Sequence, residues 1–368
     1  MIVGVPKEIK NKENRVGMVI AGVHALTSAG HKVLVQTRAG AGIGLSDEAY
    51  AKAGATMIDS PKEIYERSEM IVKVKEPLPE EYPLLREGQI LYTYLHLAAD
   101  ERLTKALLER KIVGIAYETI QLADQSLPLL APMSAVAGRM ATQIGATYLQ
   151  HDHGGKGMLL GGVTGVDRGH VVILGGGVVG INAAKMAVGL GAKVTILDVN
   201  VPRLDYLADI FGNEITTLYS NIEQVSKALS TADLVIGAVL VPGAKAPKLV
   251  TREMVSLMQP GGVIVDVAVD QGGSVETCRP TSHEHPTYTV DGVIHYAVPN
   301  MPGAVPRTST YALTNVTMKY AVKLASLGWK DAVGRDEALR KGVNICMGKI
   351  TYKQVAEDLG LGYEALKV

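Results

Sequence analysis

The feature that most constrains this chain is the run Val171-Val-Ile-Leu-Gly175-Gly-Gly177-Val178-Val179-Gly180-Ile-Asn-Ala-Ala. Four apolar residues read as a buried strand, and the Gly-x-Gly-x-x-Gly that follows opens an apolar helix. Gly175 makes the tight turn, Gly177 lets backbone approach a pyrophosphate, and Gly180 allows close packing of helix on strand. The helix N-terminus offers its unpaired N–H groups and the positive end of its dipole to phosphates. Asp198 ends the next strand about 20 residues on, where a carboxylate accepts hydrogen bonds from ribose hydroxyls. A carboxylate there repels a 2′-phosphate, so the expected cofactor is NAD rather than NADP; Arg203 nearby is a cation that would accommodate that phosphate. The competing reading is a glycine-rich turn that binds nothing.

Strands alternate with helices on both sides of this motif. Before it, Ile2 to Val5, His31 to Gln36, Met70 to Val74, Ile90 to Tyr94 and Ile112 to Ala116 read as strands. Gly22 to Ala29, Asp47 to Ala53 and Leu103 to Glu109 read as helices. After it, the strands are Lys193 to Leu197, Leu234 to Ile236 and Val263 to Val267. They are apolar rather than alternating, as expected of a parallel sheet covered by helices on both faces. Ser134 to His151 has helical periodicity behind a Ser start signal and reads as a long helix connecting two domains. A helical pattern runs from Tyr311 to Leu327, and the tail, Asp336 to Lys367, reads as helical too. A chain of 368 residues suits two domains of roughly 100–200 residues each. The expected fold is α/β: two Rossmann-like, doubly wound parallel-sheet domains with a cleft between them.

Lys plus Arg equals Asp plus Glu at 37 each, which leaves no basic footprint for nucleic acid or a membrane surface. No uncharged apolar run reaches about 18 residues, so no membrane span is expected. The start, Met1-Ile-Val-Gly-Val-Pro-Lys-Glu, brings charge too early for a signal-peptide core. Cys278 and Cys346 form neither a disulfide framework nor a metal spacing, which points to a reducing, cytoplasmic setting.

A nucleotide-binding half needs a partner that handles substrate: a cation for a carboxylate, and an acid/base near the reacting carbon. Arg15 follows the first strand, and the guanidinium grips a carboxylate through two parallel hydrogen bonds; on this feature alone a surface arginine is an equal reading. Lys75 follows an apolar strand and is stopped by Pro77. Close to another cation it would carry a lowered pKa, yet position alone weighs slightly towards a solvated lysine. His96 ends the strand Leu91 to Leu95 and is suited to proton transfer near neutral pH; a lone histidine is more often a hydrogen-bonded core residue. Three strand ends in one half of the chain carry Arg, Lys and His, and that convergence favours a shared site. Asp270 follows a strand of the cofactor half, with a helix-capping role as its alternative before Gly272-Gly273. Tyr296 to Gly303 reads as a shaped loop. His283 and His285 lack further plausible ligands and read as surface loop, so no metal site is expected.

At this level of detail the chain closely resembles the L-alanine dehydrogenases over essentially its whole length. The matching segments include Gly4-Val-Pro-Lys-Glu-Ile-Lys, Glu13-Asn-Arg-Val, Val74-Lys-Glu-Pro, Tyr94-Leu-His-Leu-Ala-Ala, Pro132-Met-Ser-Ala-Val-Ala-Gly-Arg, Asp266 to Gly273 and Val298 to Thr310. The resemblance implies reversible oxidative deamination of L-alanine to pyruvate and ammonium with NAD. It assigns the substrate carboxylate and carbonyl to Arg15 and Lys75, and makes His96 and Asp270 the catalytic pair. It lines the cofactor with Ser134, Gly175, Gly177, Val178, Val179, Gly180, Asp198, Arg203, Ser220, Val239, Leu240, Val267, Ala268, Val269, Asp270, Arg279, Val298, Pro299, Asn300 and Met301. It further implies a discontinuous substrate-binding domain, 1–133 with 307–368, an NAD-binding domain 134–306, and a homo-oligomer, a hexamer.

Three positions depart from the family pattern. Ala135 stands where Glu is frequent, Thr164 where Pro is frequent, and Arg38 where an acidic residue is usual. None touches a proposed catalytic group. Two other readings stay open: a nucleotide-binding subunit like the alpha portion of proton-translocating transhydrogenase, and a non-catalytic NAD-binding protein. The complete set of Arg15, Lys75, His96 and Asp270 argues against both.

Overall fold

Each apolar run forms a strand in the computed structural model, which describes residues 1–239 and 246–367, with Asp270 and Gln271 described through their backbone only. The early strands are β1 (Ile2–Val5), β2 (Lys32–Gln36), β3 (Thr56–Ile58), β4 (Met70–Val72), β5 (Ile90–Thr93) and β6 (Val113–Ala116). The middle of the chain supplies β7 (His170–Leu174), β8 (Lys193–Asp198), β9 (Ile215–Tyr219), β10 (Leu234–Gly237), β11 (Val263–Asp266), β12 (Thr287–Val290) and β13 (Val293–Tyr296). The last two are β14 (Val343–Cys346) and β15 (Lys349–Ile350). The chain divides into two units, Met1–Met133 with Val305–Val368, and Ser134–Ala304.

In the first unit the sheet order is β15-β14-β6-β5-β4-β1-β2-β3. Strands β1 to β6 are parallel, and β14 joins β6 antiparallel. The side chains of Ile71, Leu91 and Ile112 are completely buried in one core with Leu103 and Leu107 of helix Glu101–Glu109. Each such side chain withdrawn from water contributes roughly 1.5–3 kcal/mol. In the second unit the order is β12-β13-β11-β10-β7-β8-β9, parallel except for β12. Strand β7 is central, and the chain winds outwards from it in both directions, which is the doubly wound arrangement with its switch point beside the glycine turn.

Three expectations are corrected. The tail is not uniformly helical: between helices Glu337–Lys341 and Lys353–Leu359 it forms β14 and β15, which extend the first sheet. Met347 (φ 49°) and Gly348 (φ 82°) make the left-handed, two-residue turn between them, a hairpin geometry that periodicity over the whole tail hides. The long helix spans Ala131–Tyr148, so Ser134 lies inside it. Pro132 occupies its first turn, where the missing N–H has no helical acceptor to lose. The helix expected to stop at Leu327 spans Pro306–Gly334, with Gly328 (φ 73°, ψ 158°) as a break within it.

The hairpin turn offers a direct test of this revised tail. An alanine at Gly348 would have to hold a left-handed conformation that disfavours a Cβ by about 1–2 kcal/mol. Gly348→Ala should therefore lower the thermal midpoint, followed by circular dichroism. An unchanged midpoint would mean that β14 and β15 are not tied by this turn.

Candidate functional site

Parallel strands that run level end level, and both units place their candidate residues on that edge. In the first unit β4, β5 and β6 are neighbours in register, Met70 opposite Ile90 and Ile90 opposite Val113. Lys75, His96 and Glu118 each follow the end of one of these strands by two or three residues. Arg15 reaches the same edge on the segment after β1, because Gly17 packs against the end of β4: a Cβ there would lie 2.7 Å from the Val72 carbonyl oxygen.

Arg15 is buried, and Glu13 holds it. Its Nε donates to Glu13 Oε1 at 2.8 Å, its Nη2 to Oε2 at 2.6 Å, and its backbone N–H to Oε1 at 3.0 Å. Nη1 lies 3.3 Å from the Met133 sulfur. Burial alone would raise the Glu13 carboxyl, but the Arg15 hydrogen bonds and charge outweigh it and hold that carboxyl below its usual range. The charge of Arg15 is thus fixed in place and direction.

Lys75 is half-buried and, among the described residues, no side chain pairs with its ammonium. Burial lowers its pKa; Glu76 opposes this, while the positive charges of Arg15 and Lys10 add to it. Lys10 is ion-paired with Glu76. A lysine depressed by burial and by other cations is a lysine set up to exchange its proton.

His96 adopts a left-handed backbone (φ 49°, ψ 41°), uncommon for a side chain of its size. Glu118 stabilises it: Oε1 accepts the His96 N–H at 2.6 Å and the Leu95 N–H at 3.2 Å, and lies 3.8 Å from Nδ1. The ring stacks on Tyr94 (centroids 5.7 Å apart, planes 3° apart), and the Tyr94 hydroxyl donates to the Leu129 carbonyl at 2.6 Å. The imidazole is nearly half exposed, so it is an oriented surface group rather than a core histidine. Sequence reasoning missed Glu13 and Glu118. Both act on backbone N–H groups or on a neighbour's charge, which no spacing rule reports.

In the second unit the edge of β13, β11, β10, β7, β8 and β9 gathers the nucleotide candidates. Gly175 (φ 103°) turns the chain after β7, and Gly177 is the N-cap of helix Val178–Gly189, which has no side-chain cap. At Gly180 an added Cβ would meet the Gly175 carbonyl oxygen at 1.9 Å, whereas at Gly177 it would meet nothing within 4 Å. Gly180 therefore serves the packing of the turn itself, while the space at Gly177 is not required by the protein and fits a ligand's approach. Asp198 Oδ2 accepts the Gly176 N–H at 2.6 Å, and Oδ1 the Asn200 N–H at 2.8 Å. Arg203 Nε donates to the Gly176 carbonyl at 2.6 Å, and its guanidinium lies over Tyr206. The cation flagged in the sequence is thus tied to the turn.

Ser220 follows β9, its N–H donating to the Asp198 carbonyl at 3.0 Å. Val239 follows β10 and abuts Gly175. Val267, Ala268, Val269 and the Asp270 backbone form the 3-10 helix Val267–Gln271 after β11. Asp266, completely buried, holds that loop through the N–H groups of Ala268, Ser274 and Val275. Val298, Pro299, Asn300 (φ 56°) and Met301 follow β13. Ser134 is half-buried on helix Ala131–Tyr148, which packs on the phosphate-side helix where Gly138 meets the Val179 carbonyl. Arg279 is not at a strand end: it stacks on Tyr288 of β12 at 4.4 Å. Leu240 and the Asp270 side chain lie outside the described residues.

The chain is similar to known proteins in its domains, in its whole sequence and in its fold. Residues 4–137 match the family domain described as "Alanine dehydrogenase/PNT, N-terminal domain", and residues 141–353 its C-terminal domain. The chain is 62% identical over 364 residues to the alanine dehydrogenase of Methanococcus maripaludis, covering 99% of this chain and 98% of that one. It is 59% identical to the alanine dehydrogenase of Bacillus subtilis, with 99% and 96% covered. A solved L-alanine dehydrogenase superposes with a TM-score of 0.95 at 55% identity, covering 98% of this chain and 99% of that one. A transhydrogenase from Sinorhizobium meliloti shares the fold, with a TM-score of 0.84 at 24% identity.

The contrast between two glycines gives a clean test of the nucleotide site. Gly177→Ala should leave the thermal midpoint unchanged and weaken dinucleotide binding by about tenfold or more, because the Cβ intrudes only on a bound pyrophosphate. Fluorescence titration with NADH reads the second quantity. Unaltered affinity would show that the turn does not bind phosphate.

Proposed function

Because the chain belongs to the alanine dehydrogenase/PNT family, we propose that it catalyses the reversible, NAD-dependent oxidative deamination of L-alanine to pyruvate and ammonium. The single observation that carries this reading beyond the family is the cationic strand-end cluster: Arg15 locked by Glu13, and Lys75 depressed by burial and by Arg15 and Lys10. An anionic substrate suits that cluster.

Arg15 would take the carboxylate of alanine or pyruvate through a charge-assisted pair, its orientation already set by Glu13. Lys75 would donate to the carbonyl or imine, favouring the charge that develops there. His96 and Asp270 would move the protons of water addition and ammonia release, with Glu118 holding the His96 backbone. Gly175, Gly177, the uncapped helix N-terminus and Asp198 would hold the nucleotide. Bound there, the nicotinamide would supply the hydride acceptor for alanine oxidation and, reduced, the hydride donor for the reverse reaction. Asp198 accepts the Gly176 N–H of the turn through Oδ2 and the Asn200 N–H through Oδ1, so its negative charge stands beside the glycine turn, where it would repel a 2′-phosphate and favour NAD over NADP.

The expected partners are small molecules and further copies of the chain. Leu159, Val163 and Val166 are each more than 60% exposed beside a glycine-rich turn, an apolar patch that association into a hexamer would cover. Two free cysteines fit a cytoplasmic setting. No helix among the described residues is long and apolar enough to cross a membrane.

Purified protein with L-alanine and NAD at alkaline pH should form NADH, and neither D-alanine nor NADP should replace them. Lys75→Ala and His96→Ala should each lower turnover by about 100-fold or more. Turnover within a few-fold of the parent would remove that residue's role. Absence of NADH in a protein that binds the cofactor would favour transhydrogenase-like exchange or a binding role.

The lowered pKa of Lys75 has a pH signature. If the ammonium form acts, kcat/KM for pyruvate falls as pH rises through the Lys75 pKa. Lys10→Met removes a nearby cation and leaves Glu76 without its partner, and both changes favour the charged lysine. The alkaline limb should therefore move to higher pH; a limb that stays in place or moves down would separate it from Lys75.

A further inference from the structure

Lys73 lies two residues before Lys75, yet its side chain is completely buried. Its ammonium meets Glu8 Oε2 at 3.2 Å and Glu81 Oε1 at 2.8 Å. Glu81 also accepts the Tyr65 hydroxyl at 2.7 Å and, through Oε2, the Leu78 N–H at 2.9 Å. Burial raises the Glu8 carboxyl against the pull of Lys73. Two carboxylates and an ammonium thus occupy core space where apolar side chains of similar volume serve stability as well or better. Something other than stability is needed to account for the cluster.

What apolar side chains lack is an acceptor for backbone. The β4 ladder has ended at Val72; two further sheet-like bonds run towards β5, from Lys73 N–H to the Tyr92 carbonyl at 3.2 Å and from Tyr94 N–H to the Val74 carbonyl at 3.4 Å, and neither satisfies an N–H of Val74 or Lys75, which lie past the end of the strand. Beyond it Glu8 Oε1 takes over, accepting the Val74 N–H at 2.6 Å and, more distantly, the Lys75 N–H at 3.4 Å. From the other side Thr93 donates its hydroxyl to the Lys75 carbonyl at 3.0 Å. We propose that Glu8 is a positioning residue for Lys75: it fixes the backbone that carries the amine, and Lys73 with Glu81 holds Glu8 at the reach this requires. The inference rests on the role given to Lys75 under the proposed function.

Two conservative variants separate reach from charge. Glu8→Gln keeps the length and a carbonyl oxygen for the Val74 N–H, and Lys73 stays balanced by Glu81. Glu8→Asp keeps the charge but withdraws the carboxylate by one methylene. Positioning predicts that KM for pyruvate rises by about tenfold in Glu8→Asp and several times less in Glu8→Gln, with NADH affinity within about twofold in both. If the cluster were only a structural ion pair, Glu8→Gln would lose thermal stability and Glu8→Asp would keep its KM. That ordering, or equal KM values in the two variants, overturns the proposal.

The same variants are read without turnover by the acylation rate of Lys75 with acetic anhydride, followed by peptide mass spectrometry. Unequal rates, with Glu8→Asp further from the parent, support positioning; equal rates overturn it. Should Glu8→Asp not fold, Lys73→Met releases Glu8 from its place and takes over with the same expected rise in KM and change in acylation. Alanine turnover by the parent keeps the two questions apart. If the parent turns over alanine and the variants fail, only the positioning role is lost. If it does not, the functional reading falls, and the acylation rates alone decide about Glu8.

Discussion

Both units depend on one constraint: parallel strands in register must finish on the same side of their sheet. Neighbours in such a sheet cannot be joined by tight hairpins, so each connection crosses over and returns, and the polar turn residues collect along one rim. The first unit places Arg15, Lys75, His96 and Glu118 on that rim, and the second places the glycine turn, Asp198, Ser220, Val239 and the loops after β11 and β13. Residues distant in sequence, Lys75 and Arg15 in one unit and Val239 and Gly175 in the other, become neighbours through strand order. The chemistry follows from topology before any individual side chain is considered.

The rim is then stiffened by carboxylates that bind the protein's own N–H groups. Glu13 straps Arg15, Glu118 takes the amides of Leu95 and His96, Glu8 those of Val74 and Lys75, and Asp266 those of Ala268, Ser274 and Val275. In each case an acceptor-only group satisfies N–H groups that the end of a strand leaves without partners. Acidic residues thus hold the backbone at four of the places where a strand gives way to a functional loop.

Much of this was legible in the sequence. The Gly175–Gly180 turn, the strand before it and Asp198 after it are local patterns whose meaning does not depend on the rest of the chain. Arg15, Lys75 and His96 were visible as strand-end residues, and the resemblance gave them roles that position alone left open. The straps were not visible. Glu13 and Arg15 are two residues apart, and nothing in that spacing tells an ion pair locked in the core from two surface charges. The tail is less legible: helical periodicity over its whole length masks two short strands, and the turn at Met347-Gly348 is a weaker local pattern than the Asp-Gly of the Asp291-Gly292 turn between β12 and β13. The periodicity from Tyr311 to Leu327 shows only part of the helix, because Gly328 breaks the pattern and the chain resumes its helical path beyond it.

Asp198 bears on attempts to re-engineer the cofactor preference. Such redesigns usually begin by neutralising the acidic residue at the end of the second strand. In this chain both of its oxygens already accept backbone N–H groups, those of Gly176 and Asn200, so the carboxylate proposed to select the ribose also holds the backbone around the turn. Truncating it would loosen the phosphate loop while relaxing selectivity, and the two losses would be hard to tell apart in a single affinity. A side chain that keeps an acceptor for Gly176 but sheds the charge, such as asparagine, is the sounder starting point. Arg203, already moored to the Gly176 carbonyl, would then stand beside the incoming 2′-phosphate as a ready counter-ion.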